Sequence, residues 1–184
     1  MEFFCYHRDR AGSAVLRAQL LEDHWSYLDR YSAAMIARGP VLADDNETAI
    51  GSVHLLDLPD PATARDFVFD EPNYRAGVYR DVMLRRWHNT LGRTMWEFPA
   101  GYTDHNRYLV LGLGPDPESE PIPPDRRDAL IAHGPLLADD GTTQLGTIAL
   151  TEAPDAEAAR LVLTPGRYAE LEVHRWDYGG RPGE

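Results

Sequence analysis

Two residues on one helical segment, Arg17 and His24, carry the clearest chemical potential in this 184-residue chain. The pattern from Ala14 to about Ser32 is helical, and Leu16, Leu20, Leu21, Tyr27, Leu28 and Tyr31 define one apolar arc. At about 100° per residue, both Arg17 and His24 point near the middle of that arc. Seven positions separate them, about 10.5 Å of helical rise, so they can line one pocket without touching through their backbones. Histidine changes charge near neutrality and serves as a general acid or base when a carboxylate fixes its tautomer; the plainer role is a satisfied core histidine. Arg17 suits a bidentate hold on a substrate carboxylate or phenolate, against a snorkelling side chain or an ion pair with Asp45. Tyr27 and Tyr31, with Trp25 and Trp87, could line an aromatic-binding cavity, although aromatics at helical spacing more often build core.

Other signals are weaker. His7, His54, His88, His105, His133 and His174 show neither a close His-x-x-x-His pair nor a cysteine partner, so no metal is expected. The single cysteine, Cys5, excludes an internal disulfide framework, fits a reducing compartment, and reads as an inert core thiol in an apolar strand. Gly112-Leu113-Gly114 is no dinucleotide fingerprint, because Pro115 and an acidic, proline-rich run follow where a helix should open. No phosphate loop or Gly-x-Ser-x-Gly elbow occurs.

The elements that must position these residues come in two similar sets. Ile36–Arg65 matches Ile131–Arg160 without gaps at 15 of 30 positions, which predicts two similar subdomains rather than a stack of short repeats. In the first, Met1–His7 reads as a buried strand and Ala14–Ser32 as a helix. Met35–Leu42 and Ile50–Leu56 form a hairpin, Pro59–Phe69 a second helix and Val78–Trp87 a last strand. That order is β-α-β-β-α-β, ferredoxin-like. Asp44-Asp45-Asn46-Glu47 has the chemistry of a hairpin loop, and Asp139-Asp140-Gly141 repeats it.

In the second set the strands return at Arg107–Leu113, Leu145–Leu150 and Tyr168–Trp176, with a helix at Ala156–Leu163. Pro115, Pro117, Pro121, Pro123 and Pro124 cut its first helix to about Asp125–Ala132, and Ser119 stands where His24 would be. The expected division is residues 1–88 with the candidate site, a connector at 89–106, a degenerate repeat at 107–178 and a loose tail at 179–184.

A net charge of −12, from 30 acidic against 18 basic residues, disfavours nucleic acid and anionic membranes as partners. No apolar run approaches the roughly 20 residues of a membrane helix, and Met1–Tyr6 lacks a signal peptide's regions, so a cytoplasmic protein is expected.

In combination, several features resemble the YciI-like (YCII-related) family of small proteins. They are the short N-terminal strand, Arg17 and His24, Gly39-Pro40 leading to an Asp-containing loop, and Gly51-Ser52. Asp70-Glu71-Pro72-Asn73-Tyr74 and Gly77-Val78-Tyr79 complete the set. The resemblance covers Met1–Trp87 well and Arg107–Trp176 as an eroded copy. It implies an α+β fold in which two ferredoxin-like units make a pseudo-dimeric α+β barrel, as a monomer or a homodimer. It also implies that His24 pairs with Asp45 or Asp44 as the catalytic or ligand-binding couple. The reading that results is a cofactor-independent lyase or isomerase moving protons on a small organic molecule, with Arg17, Tyr27 and Tyr31 binding it. The rival readings are a non-catalytic ligand-binding or interaction module and a cofactor-free oxygenase acting on a phenol.

Overall fold

The computed structural model describes residues 1–99, 105–114, 121, 122 and 124–181, and the chain divides into two compact units. Unit 1 is Met1–Leu84 together with the segment that begins at Tyr178; unit 2 is Arg85–Asp177. The fold class is α+β, as expected.

Unit 1 runs β1 (Glu2–Asp9), α1 (Ala14–Gln19), α2 (Leu21–Asp29), β2 (Met35–Leu42), β3 (Ala49–Asp57), α3 (Pro61–Phe69), α4 (Pro72–Arg75) and β4 (Tyr79–Trp87), whose last residues belong to unit 2. The strands are ordered β4-β1-β3-β2. The central pairings are antiparallel, with Cys5 opposite His54 and His7 opposite Ser52 across β1 and β3. Because side chains alternate along a strand, Phe3, Cys5 and His7 share one face with Ser52, His54 and Leu56. Tyr27, Leu28, Ala64, Phe67 and Val68 pack with Phe3, Cys5 and Leu56 as the core of this layer.

The expected single helix over Ala14–Ser32 is two. The backbone breaks at Leu20 (φ −95°, ψ 5°), and the turn before it has no buried residue. Leu16 and Leu21 are therefore exposed, while His24, Tyr27 and Leu28 of α2 are buried. α3 starts as its sequence dictates: Pro61 occupies the first turn and the Asp60 carboxylate accepts from Thr63 N at 2.8 Å.

Unit 2 contains β5 (Asn106–Leu113), β6 (Leu130–Leu137), β7 (Gln144–Ala153), α5 (Ala156–Arg160) and β8 (Glu170–Trp176), with β8-β5-β7-β6 as its strand order. Arg86 and Trp87 at the end of β4 pair with Leu137 and Leu136 of β6. Where a helical remnant was expected at Asp125–Ala132, Pro124–Ala129 is a 3-10 turn and Leu130 already opens β6. Pro115, Pro117, Ser119 and Pro123 lie outside the described residues.

The hairpins of the two units are built alike. Asp45 accepts from Glu47 N, Thr48 N and Thr48 Oγ1 at 2.9, 2.8 and 2.6 Å; Asp140 accepts from Thr142 N, Thr143 N and Thr143 Oγ1 at 2.8, 2.8 and 2.6 Å. Asn46 (φ 60°) and Gly141 (φ 72°) take the left-handed position in each turn.

The tail expected to be loose from residue 179 is anchored as far as Arg181. Gly179 N donates to Arg38 O at 3.0 Å, Arg38 Nε donates to Gly179 O at 3.1 Å, and Arg181 pairs with Glu22 and Asp29 of α2 at 2.8 and 3.3 Å. Among the described residues, no helix is long and apolar enough to cross a membrane.

Candidate functional site

The site of unit 1 lies between one sheet face and the first helices. β1 brings Cys5, His7 and Asp9; β3 brings Ser52 and His54; and β2 brings Arg38, opposite His54. α1 and α2 contribute Arg17 and His24. Glu71 comes from the turn between α3 and α4, where it is the N-cap of α4 and its Oε2 accepts from Tyr74 N at 2.8 Å. A carboxylate at an N-cap followed by Pro at the first helical position is the local reason that this turn forms.

His24 Nδ1 lies 2.6 Å from Glu71 Oε1, with the His24 side chain 8% exposed and that of Glu71 fully buried. Glu71 Oε1 also accepts from Asn73 Nδ2 at 3.2 Å. Burial alone pushes the Glu71 carboxyl up, but the hydrogen bond and charge of His24 and the Tyr74 amide hold it below the ordinary glutamate value. An ionised Glu71 accepting from Nδ1–H fixes the tautomer in which Nε2 carries the lone pair.

Arg17 is fixed in a second pair. Its Nη1 donates to Asp9 Oδ1 and Oδ2 at 3.0 and 3.2 Å, and its Nη2 to Ser52 Oγ at 2.5 Å. Burial raises the Asp9 carboxyl above its usual range, and Arg17 opposes that shift without cancelling it. The guanidinium has five N–H donors, so these bonds do not exhaust it.

A cavity of about 240 Å³ opens against these groups. Arg17, His24, Ser52, His54 and Arg38 supply its polar wall, Leu21, Trp25 and Leu28 its apolar wall, and the returning segment Tyr178–Gly180 one side. No carboxylate is among the described residues that line it: Glu71 stands behind His24 and Asp9 behind Arg17. Glycine is required in the returning segment. A Cβ on Gly179 would meet Gly39 Cα at 2.8 Å, and one on Gly180 (φ 147°) would meet Arg38 Nη2 at 2.8 Å.

The buried imidazoles of His7 and His54 are held neutral. Burial lowers His7 to about 3 against the opposing charge of Glu71, and burial first, then the neighbouring His7, lowers His54. Burial likewise raises the Cys5 thiol. No cysteine partner was expected for the histidines, yet β1 and β3 bring Cys5, His7 and His54 together, with three buried donor atoms within 4.8 Å of one another.

The structure brings together Arg17 and His24 but gives His24 a different partner from the one expected. Asp45 spends both carboxylate oxygens inside its own turn, and Asp44 is exposed in the same turn. Glu71 takes the place that either aspartate was expected to fill. Arg17 likewise pairs with Asp9 rather than Asp45. Tyr27 and Tyr31 are not at the cavity wall. The Tyr27 hydroxyl donates to Asp66 O and Phe67 O at 3.1 and 3.0 Å, and both rings pack on Phe67 with centroids 6.0 and 4.9 Å away.

Sequence reasoning missed Glu71, Asp9, Ser52, His54 and Arg38 as site residues. A signal existed for Glu71, since an acidic residue directly before Pro72 marks a helix start as readily as a helix stop. For His54 and Ser52, period-two alternation on β3 would have placed both on one face.

Among curated proteins, none is significantly similar in sequence. Several solved structures are similar, three of which follow. A 5-chloro-2-hydroxyhydroquinone dehydrochlorinase from Burkholderia phenoliruptrix AC1100, in complex with 2,5-dihydroxybenzoquinone, is 26% identical over 50% of this chain and 99% of that one, at a TM-score of 0.47. A monooxygenase candidate from Lactobacillus acidophilus NCFM is 9% identical over 96% of this chain and 93% of that one, also at 0.47. A chlorite dismutase candidate is 13% identical over 96% of this chain and 95% of that one, at 0.54. Of the three, the last likeness supports an inference, and at that identity the inference is the fold alone, that of the dimeric α+β barrel proteins. Residues 1–88, just under half of the chain, match the family model of the YCII-related domain.

Proposed function

We propose that unit 1 is an enzyme for a small anionic molecule, moving a proton in chemistry of the lyase or isomerase type, with His24 as general base and acid. The observation that carries this reading is the 2.6 Å contact between His24 Nδ1 and a fully buried Glu71, with the imidazole at the wall of a cavity of about 240 Å³. Glu71 orients the ring, and Nε2 is the nitrogen left to take a proton from a bound molecule. The wall pairs that base with two guanidiniums and a hydroxyl and presents no carboxylate among its described residues. It therefore favours a ligand that carries, or develops, negative charge. Trp25, Leu21 and Leu28 suit an apolar or aromatic body on the same molecule. The volume restricts that molecule to roughly the size of a substituted single ring.

Transfer of a carbon-bound proton is read directly by NMR as deuterium incorporation from D₂O into small carboxylates and phenols incubated with the protein. Exchange that falls about 10²- to 10⁴-fold in His24→Ala and in Glu71→Gln, while quenching of Trp25 fluorescence by the same compound persists, supports the enzyme. Binding without exchange in the wild type, for every compound that binds, makes unit 1 a ligand-binding module instead. Exchange undiminished in both folded variants removes His24 and Glu71 from the chemistry.

A further inference from the structure

A second constellation adjoins this site and shares one residue, His54, with its wall. Cys5 and His7 are two positions apart on β1 and so share a face, and His54 stands directly across from Cys5 on β3. All three are buried, at 0%, 0% and 1% exposure, and their donor atoms lie within 4.8 Å of one another. Cys5 Sγ is 3.5 Å from His7 Nδ1. In a tetrahedral zinc site, bonds of about 2.3 Å to sulfur and about 2.1 Å to nitrogen set a sulfur–nitrogen edge of about 3.6 Å. One edge of a coordination polyhedron is therefore already present.

His54 Nδ1 supplies an independent observation: it is buried and has no hydrogen-bond partner, a costly state for an imidazole nitrogen in the interior. A cation at the centre of the triad would give that ring a partner and hold it in place. Strand geometry makes the arrangement rigid, since all three residues sit inside regular antiparallel pairing rather than on loops.

We propose that Cys5, His7 and His54 form a binding site for a thiophilic d¹⁰ cation, zinc(II) or copper(I). One thiolate and two neutral imidazoles are the donor set such cations prefer, whereas magnesium, calcium and manganese favour oxygen ligands. The thiolate charge also limits the net charge buried with the ion. It leaves copper(I) neutral and zinc(II) with one positive charge facing the Glu71 side of the site. His54 is shared with the cavity wall, so the bound cation stands beside the cavity and strengthens its hold on anions. This assignment does not depend on the proton-transfer reading, because metal uptake is measured without any substrate.

The test uses the full chain, stripped by chelator under reducing conditions and titrated with cobalt(II) as a chromophoric stand-in for zinc(II). A parallel titration uses copper(I) in competition with a coloured chelator. Uptake of one equivalent of either ion, with a thiolate-to-cobalt charge-transfer band in the cobalt arm, supports the site. Loss of at least about tenfold in affinity in both Cys5→Ser and His54→Gln, with the band unchanged in His24→Ala, assigns it to the triad. No stoichiometric uptake of either ion, or uptake that survives Cys5→Ser, overturns the proposal. Should the two variants fail to fold, X-ray absorption on the metal-loaded wild type decides. One sulfur scatterer at about 2.3 Å supports the site, and a shell of nitrogen and oxygen alone overturns it.

Discussion

Units 1 and 2 run similar strands through similar bulges and turns, and they differ in what lies on the strands. Register shifts fall at Met35/Ala37 and Val41/Leu42 in unit 1 and at Leu130/Ala132 and Leu136/Leu137 in unit 2, ninety-five positions on in each case. Asp60 and Asp155 cap matching helices at 2.8 Å. Gly179 N donates to Arg38 O in unit 1, and Thr90 N donates to His133 O, the matching position, in unit 2, both at 3.0 Å. On the sheet face, however, the places of the Cys5–His54 and His7–Ser52 pairs of unit 1 are taken in unit 2 by Val110–Ala149 and Gly112–Thr147. Unit 2 also has, among its described residues, no counterpart of α2 or α4, the elements that supply His24 and Glu71. Its Tyr168 ring lies over Gly112, 2.7 Å from where a Cβ would stand. A sheet of this kind is thus a neutral support; what sets unit 1 apart is α2, α4 and the side chains of Cys5, His7, Ser52 and His54 on one face.

The comparison is most sharply broken by adding one methyl group to each returning segment's contact. A Cβ on Gly134 would overlap the backbone carbonyl of His88, which cannot move as a flexible side chain could. Gly134→Ala should cost about 3 kcal/mol in urea unfolding and leave ligand binding by unit 1 intact. Gly179→Ala meets Gly39 Cα at 2.8 Å; it should cost less, about 1 kcal/mol, yet weaken ligand binding, because the segment it displaces lines the cavity. Equal effects of the two substitutions on binding would show that the returning segments are not specialised.

Acid provides a finer separation. The Glu71 carboxyl lies below its ordinary value of 4.5 in the folded protein. The stability it contributes is therefore fully present above pH 4.5 and is lost as pH falls through the lower folded value. Between those two values wild-type stability should fall by up to about 1.4 kcal/mol per pH unit more steeply than that of Glu71→Gln. Parallel slopes would remove Glu71 from the acid response.

Smaller effects follow from single hydroxyls and carboxylates. Ser52→Ala removes the 2.5 Å contact to Arg17 and should raise KM for an anionic substrate by about threefold to tenfold, while Thr147→Val, at the matching place in unit 2, leaves KM unchanged. Asp45→Ala and Asp140→Ala should lower Tm slightly and by the same amount, without changing turnover, since both carboxylates serve only their own turns. Lost turnover in Asp45→Ala alone would restore Asp45 to the site.

Much of the fold was legible because it is written in local patterns. The repeat, the β2–β3 hairpin and the capped start near Pro61 all follow from periodicity and turn chemistry, and β2 falls on the expected residues, Met35–Leu42. The break at Leu20 was not, because it replaces no residue with a breaker and shows only in the backbone angles. At the site, His24 was legible from its helical position. Its partner was not, because Glu71 stands 47 positions away, and nothing in local spacing says which of several carboxylates a fold will carry to an imidazole. Asp45 or Asp44 was expected because the family resemblance pairs a helix histidine with a loop aspartate, yet the amides of that loop claim Asp45 first.

The returning segment also sets an order of events. Arg38 and Gly179 are 141 positions apart, so the chain must be made past the whole of unit 2 before the last side of the first unit's cavity can close. A ribosome-bound fragment ending short of Tyr178 lacks the segment that forms one side of that cavity. The cavity is therefore complete only late in synthesis, well after the side chains of its polar wall have been made.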